Sequence, residues 1–138
     1  MDAAEWVMLV VLMGFAAYDI KTKTISVVAV AITAVSVLWY RLYMGIGIGE
    51  LIVGVLPGAL LLLLAFATRE SIGTGDGMVL CILGLFCGWR QCVAVFGMAL
   101  VLSALLSMVL LLCHKAGRKT QLPFLPSLLG GYFLYYLW

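Results

Sequence analysis

The chain has 138 residues, of which 66% are hydrophobic and 10% are charged, and its mean hydropathy is +1.24. Soluble domains are about 45–50% apolar and about 25% charged, so this composition excludes an ordinary soluble protein and predicts an integral membrane protein. The net charge of +2 is small and the basic residues do not cluster, which argues against a nucleic-acid partner. At this length we expect one domain, residues 1–138.

Six apolar runs along the chain predict an all-α, polytopic membrane protein, a bundle of six transmembrane helices. Crossing about 30 Å of hydrocarbon takes about 20 apolar residues. In chain order, the predicted helices cover residues 3–20, 25–43, 51–68, 78–89, 92–113 and 123–138. The fourth run is only about 18 Å long. If its far end reaches the opposite interface, Asp76, just before it, lies somewhat inside the membrane.

Glycine and proline mark the connections and contacts of these helices. Residues 45–50 contain three glycines and predict a flexible turn, and Pro57 predicts a kink in the third helix. The glycines inside the helices are interpreted as close-packing positions, namely Gly54, Gly58, Gly84, Gly88, Gly130 and Gly131. The four cysteines lie in apolar surroundings without a C-x-x-C pair, so we expect buried structural thiols and neither a metal site nor a cofactor.

The distribution of basic residues predicts the orientation of the bundle. Two basic residues follow the second and fourth helices, Arg41 and Arg90. Six follow the first, third and fifth helices, namely Lys21, Lys23, Arg69, Lys115, Arg118 and Lys119. By the positive-inside rule both termini are extracytoplasmic, in a multi-pass protein of the cytoplasmic membrane. The end of the first helix and the start of the fourth then share the cytoplasmic side.

Two aspartates stand at those two helix ends, Asp19 and Asp76. Taken alone, Asp19 can be explained as a charged side chain that reaches the lipid headgroups, and Asp76 as an N-terminal cap of the fourth helix. Of the six acids, these two are predicted at the same depth, on the same side of the membrane and beside a short loop. The other four are terminal, on the opposite side or beside a basic neighbour: Asp2, Glu5, Glu50 and Glu70.

A carboxylate pair at this depth has a specific chemistry. Two carboxyl groups that share a site do not both ionise easily, so one keeps a proton near neutral pH. The unprotonated member takes a proton from water as the water attacks a peptide carbonyl, and the protonated member polarises that carbonyl. Because such a pair titrates as a unit, the sequence assigns neither role to either residue. The loop residues Gly73, Thr74, Gly75 and Gly77 are expected to hold Asp76 and to give substrate access to the backbone.

The Tyr-Asp pair ending at Asp19 and the G-x-G-D motif ending at Asp76 resemble the motifs of G-x-G-D intramembrane aspartyl proteases, and more narrowly of prepilin peptidases. The resemblance covers nearly the whole chain, including residues 123–126 at the entry of the last helix. It implies that the two aspartates are catalytic in an aspartic endopeptidase of type IV pilus assembly and protein secretion. The implied substrate is a pilin-like precursor, cut at the cytoplasmic membrane face just after a short basic leader.

The chain departs from that family at three positions near the aspartates. The family often has Ile-Pro-Asn after the first aspartate, where this chain has Ile25 followed by Ser26 and Val27, and often has a lysine at the position of Met78. Larger members carry an N-terminal segment with paired cysteines and also methylate the new N-terminus. Nothing in this chain matches that segment, so we expect a short form that cleaves without methylation.

Two other functions fit the same residues. In a small proton-coupled transporter the two aspartates form a relay, although neither lies at the bilayer midplane. In a non-catalytic scaffold of a secretion or pilus assembly, both aspartates tolerate replacement by asparagine. Among possible partners, the composition identifies the lipid bilayer. The precursor, the residues that recognise its leader and the oligomeric state do not follow from the sequence.

Overall fold

A computed structural model describes residues 2–22, 26–68, 74–113 and 124–138. These ranges form α-helices and contain no β-strand, so the predicted all-α class is confirmed. In chain order the helices are α1 (Ala3–Thr22), α2 (Val27–Tyr43), α3 (Ile48–Ala67), α4 (Thr74–Cys87), α5 (Trp89–Leu112) and α6 (Leu125–Leu137). Of these, α3 and α5 are long and apolar enough to cross a membrane. The six-span bundle and the extracytoplasmic termini stay predictions.

The helices belong to two compact units. The first unit comprises Met1–Lys23 and Val95–Trp138, and it contains α1, α6 and most of α5. The second unit comprises Thr24–Ala94 and contains α2, α3 and α4. Asp19 therefore lies in the first unit and Asp76 in the second. That residues 1–138 act as one domain stays a prediction.

One face of α1 is buried. The buried residues are at most 8% exposed and recur at the i, i+4, i+7, i+8 spacing of a single helical face: Met8, Leu12, Phe15 and Ala16. The opposite face is apolar too, and its side chains are more than half exposed: Trp6, Val7, Val10 and Met13. A helix that is apolar on both faces, with one of them uncovered, fits a surface that meets lipid.

Hydrogen bonds fix the start of α1. The backbone N–H of Asp2 donates to Oε2 of Glu5 at 2.8 Å, which is one half of a capping box. The hydroxyl of Tyr132 in α6 donates to the backbone carbonyl of Glu5 at 3.3 Å. Because Tyr132 is fully buried, this bond ties α6 to the first turn of α1.

A glycine lets α6 approach α5 at backbone distance. A Cβ atom on Gly131 would lie 2.7 Å from the carbonyl oxygen of Val95 and 2.9 Å from the backbone nitrogen of Ala99. No larger residue fits there without a shift of one backbone, as is common between membrane helices. The close packing predicted for Gly131 is confirmed.

Helix α4 is the central element of the second unit. It packs against both α2 and α3. Most of its middle is buried, with residues that are at most 2% exposed: Val79, Leu80, Ile82 and Leu83. One side is half-buried, at Met78, Cys81 and Leu85. Tyr40 of α2 stacks on Phe86 with ring centroids 6.3 Å apart. The thiol of Cys92 donates to the carbonyl oxygen of Leu80 at 3.6 Å. The first turn of α4 therefore belongs to a helix that is well packed farther along.

Three helices begin earlier than the apolar runs predict, namely α3, α4 and α5. The turn predicted over residues 45–50 is wrong for its second half, because α3 begins at Ile48. The break predicted at Arg90 and Gln91 is also wrong, because both lie in the first turn of α5. The end of an apolar run marks where side chains leave the hydrocarbon. Backbone N–H and C=O groups still need partners near that boundary, so the helix continues into polar residues.

Gly88 forms the turn between α4 and α5. It is the one residue between the two helices, and its φ of +87° lies in the left-handed region that favours glycine. A Cβ atom there would meet nothing within 4 Å. The interpretation of Gly88 as a helix-packing position is therefore wrong: the backbone conformation, not a neighbour, accounts for the glycine.

Candidate active site

Asp19 lies in the last turn of α1, on the buried face of that helix. It follows Phe15 by four residues and Ala16 by three, so it extends their face by one turn. Asp19 itself is half-buried, whereas Tyr18 and Lys21 beside it are exposed. A charge that served only to reach lipid headgroups belongs on the outer face, so this position favours a role inside the protein.

Asp76 has the corresponding position in the second unit. It lies in the first turn of α4 and is half-buried. Val79 and Leu80 follow it by three and four residues, so Asp76 extends the buried surface of α4 by one turn in the N-terminal direction. Both candidate carboxylates thus lie at the end of a buried helix face.

The loop predicted for residues 73–77 is wrong for its last four residues. Thr74, Gly75, Asp76 and Gly77 form the first turn of α4, and Gly73 lies outside the described residues. Glycine suggests a loop because it lowers helix stability by about 1 kcal/mol relative to alanine. Packing of this turn against α3 offsets that cost.

Gly77 is the residue of this turn that contacts α3. It is buried, and a Cβ atom on it would lie 2.8 Å from both Cγ and Cδ2 of Leu62 and 3.2 Å from the backbone nitrogen of Leu62. The side chain of Leu62 therefore occupies the space that a larger residue would need. Gly77 lets the turn that carries Asp76 lie directly against α3.

Two further close contacts continue along the same pair of helices. Gly58 lies against the backbone and Sγ of Cys81, and Gly54 lies against the carbonyl oxygen of Gly84. The packing predicted for Gly54, Gly58 and Gly84 is confirmed. On α4 the residues in these contacts recur at i, i+4 and i+7, beginning with Gly77, which is the small-residue spacing of packed membrane helices. That spacing is the signal by which the sequence indicates a packing role for Gly77.

The two aspartates occupy helix ends of opposite polarity. The macrodipole places about half a positive charge at the N-terminus of a helix and about half a negative charge at its C-terminus. Asp76 in the first turn of α4 is thus in a place that stabilises negative charge. Asp19 in the last turn of α1 is in a place that disfavours negative charge. Each effect is on the order of 0.3–1 kcal/mol.

The meeting of Asp19 and Asp76 stays a prediction, because each is placed within its own unit. Of the six basic residues predicted on the cytoplasmic side, Lys21 is described and is exposed. The other five lie outside the described ranges: Lys23, Arg69, Lys115, Arg118 and Lys119.

The described residues contain no group of three His, Cys, Asp or Glu side chains placed to hold a metal ion. The thiols of Cys81, Cys92 and Cys113 are free. Cys92 is buried and Cys81 half-buried, as expected of structural thiols in an apolar setting. Cys113 is exposed at the end of α5, so the expectation that all the cysteines are buried is wrong there.

Comparison with known proteins gives one match. The model of the type IV leader peptidase family matches residues 6–113, which is most of the chain and includes both Asp19 and Asp76. No curated protein and no solved structure matches the chain significantly.

Proposed function

Because this chain belongs to the type IV leader peptidase family, we propose that it is a membrane-embedded aspartic endopeptidase that removes the leader of prepilin-like precursors. Asp19 and Asp76 supply the two catalytic carboxyl groups. The observation that carries this proposal is that each aspartate is half-buried and extends the buried face of its helix. An acid at the edge of the hydrocarbon costs free energy, and acids retained there face the protein interior and serve function.

In the proposed reaction the two carboxyl groups activate water and the scissile peptide together. One carboxylate accepts a proton from water, and the water oxygen forms a bond to the carbonyl carbon of the precursor. The other, protonated carboxyl donates a hydrogen bond to the carbonyl oxygen and stabilises the charge that develops there. The carboxyl that accepted the proton from water then donates it to the amide nitrogen, and the C–N bond breaks, which yields the free leader and the new N-terminus of the pilin.

The helix ends support a division of these two roles. Asp76, at the N-terminus of α4, is the better place for the ionised carboxylate that takes the proton from water. Asp19, at the C-terminus of α1, is the better place for the protonated carboxyl that donates to the carbonyl oxygen. A pair whose environments favour opposite protonation states is the arrangement that acid–base catalysis requires.

The test is cleavage of a pilin-like precursor by purified protein in detergent, read as the mass of the product. Asp19→Asn and Asp76→Asn are each expected to lower the rate by about 10²–10⁴-fold, because each removes one carboxyl group of the acid–base pair. Asp19→Asn keeps the higher residual rate, since an amide still donates a hydrogen bond to the carbonyl. Glu50→Gln is the matched control: Glu50 is also an acid in a first helical turn, but it is exposed, and its replacement should leave the rate unchanged.

The outcomes separate the competing functions. Cleavage that survives both aspartate substitutions would exclude the aspartic mechanism. Because detergent removes any proton gradient, cleavage by the wild type under these conditions also excludes a relay that acts only in transport. A lower residual rate for Asp19→Asn than for Asp76→Asn would reverse the division of roles and leave the dyad in place.

A further inference from the structure

The contact between α3 and α4 shows which residues of these two antiparallel helices lie at the same level. Leu62 of α3 lies against Gly77 of α4. One step along each helix from this contact places Asp76 level with Leu63. Leu64 is one residue farther along α3, which is about 1.5 Å along the helix axis. The proposed catalytic Asp76 therefore has Leu63 and Leu64 beside it on α3.

Asp76 and the apolar groove of the second unit lie on opposite sides of this helix pair. The groove lies between α2 and α3, and its lining residues include Ala59 of α3 and Leu85 of α4. Leu85 follows Asp76 by nine residues, which is about two and a half turns of helix, so the two side chains leave α4 in opposite directions. A substrate at Asp76 therefore meets the flank of α3 that faces away from the groove.

Leu64 lies on that flank of α3. It follows Ala59 by five residues, which is about 140° around the helix, whereas Phe66 follows Ala59 by about two full turns and lies on the groove side. Leu64 is 53% exposed and Phe66 is 68% exposed. Leu61, about one turn before Leu64, is half-buried and continues the same flank. Leu64 is thus an exposed apolar side chain on the same side of the helix pair as Asp76 and at its level.

Hydrogen bonds at the end of α3 hold Leu64 in place. The backbone N–H of Thr68 donates to the carbonyl oxygen of Leu64 at 2.9 Å, and the hydroxyl of Thr68 donates to the same oxygen at 2.7 Å. The helix continues to Ala67, about 6 Å beyond the level of Asp76. Because α3 is long and apolar enough to cross a membrane, the level of Asp76 falls in apolar surroundings, where a charged group costs free energy.

From this placement we propose that Leu64 contacts the side chain directly after the scissile bond and so favours precursors with a large apolar residue there. This inference rests on the proposed function. The two sides of the scissile bond differ in chemistry: the leader is basic and is costly to bring to this depth, whereas the mature pilin begins with an apolar helix. The apolar side is therefore the one that lies against Leu64 while the scissile bond is at Asp76.

The test compares two precursors that carry either leucine or alanine directly after the scissile bond. Purified protein in detergent cleaves each, and kcat/KM is measured. The wild type should favour the leucine precursor by about tenfold, which is at the low end of what an apolar pocket achieves. Leu64→Ala should remove most of this preference, and Leu64→Trp, which fills the space, should favour the alanine precursor. Phe66→Ala is the matched control, since Phe66 is also exposed and apolar but lies on the other flank, and it should keep the preference.

The preference is a ratio measured on one protein sample, so partial unfolding of a variant does not change it. An equal fall in Leu64→Ala and Phe66→Ala would overturn the proposal in favour of lipid contact at both positions. A lower kcat/KM of Leu64→Ala for both precursors, with the preference unchanged, would overturn it in favour of a purely structural role. Absence of cleavage of either precursor by the wild type would overturn the proposed function itself, and this inference with it.

Discussion

Asp76 and Gly77 are adjacent in the sequence and have different tasks in α4. The aspartate is half-buried at the end of the buried surface, and we propose that it acts on the substrate there. The glycine lies against Leu62 and has no room for a side chain. The last glycine of the G-x-G-D-G stretch therefore positions the aspartate through packing, without taking part in the chemistry.

Gly77→Ala tests this positioning role. The new methyl group would press on the side chain of Leu62, and overpacking of this kind costs about 1–3 kcal/mol. We expect a lower Tm and, because the first turn of α4 moves, a slower precursor cleavage. Both are measured on protein purified in the same detergent as the wild type.

Gly49→Ala is the control for that experiment. Gly49 lies in the first turn of α3, and a Cβ atom there would meet nothing within 4 Å. Alanine is the better helix former by about 1 kcal/mol, so Tm should stay level or rise. Equal effects at positions 49 and 77 would show that helix propensity, and not the contact with Leu62, accounts for the change.

At the scale of elements, α3 and α4 form the tightest pair in the second unit. They are antiparallel along their contact, since Gly54 lies opposite Gly84, Gly58 opposite Cys81 and Leu62 opposite Gly77. Lipid tails are as apolar as leucine, so burial from water does not drive helices together within a bilayer. Close van der Waals packing does, and it depends on these small residues.

Gly84→Ala should be more damaging than Gly77→Ala. A Cβ atom on Gly84 would collide with the backbone carbonyl oxygen of Gly54, which cannot rotate away as the end of a leucine side chain can. We expect the order of Tm loss to be Gly84→Ala, then Gly77→Ala, then Gly49→Ala. A loss at position 84 no greater than at position 77 would contradict backbone contact as the basis of this helix pair.

At the scale of the whole molecule, two of the described helices leave apolar faces uncovered. In α3 and α5, fewer than a quarter of the residues of the most apolar segment are buried in the structure. A central helix of a soluble protein is mostly buried, so the uncovered apolar faces of these two helices mark contact with a membrane. The membership in a family of leader peptidases is consistent with that environment.

The predicted orientation has a direct test in Cys113. It is exposed at the end of α5, and the charge distribution places it on the cytoplasmic side. In right-side-out vesicles a membrane-impermeant maleimide should label Cys113 only after permeabilisation, with Cys113→Ser identifying the signal. Glu50→Cys, predicted on the opposite side, should label in sealed vesicles. Labelling of Cys113 in sealed vesicles would show that the predicted orientation is inverted.

The sequence predicts the number and type of the helices well because composition alone decides that question. Long apolar runs are unfavourable in water. Inside lipid their backbone N–H and C=O groups must form hydrogen bonds within the segment, and the α-helix satisfies this requirement. Each of the six runs contains the larger part of one observed helix. The predicted starts of α3, α4 and α5 are wrong, because hydropathy reports where side chains lie and not where backbone hydrogen bonds end.

The candidate aspartates also follow from the sequence, because an acid at the edge of an apolar run is costly and few such acids occur. That Asp19 and Asp76 both extend buried faces is decided by the tertiary structure: the uniformly apolar α1 and α4 give no sign in sequence of which side is covered. The same holds for Gly77. The sequence predicts it in a loop, whereas in the structure it lies in a helix and packs against Leu62. Hydrophobicity determines that these segments are helices. Only the packing of specific small residues determines which faces meet, because in lipid every apolar face is equally soluble.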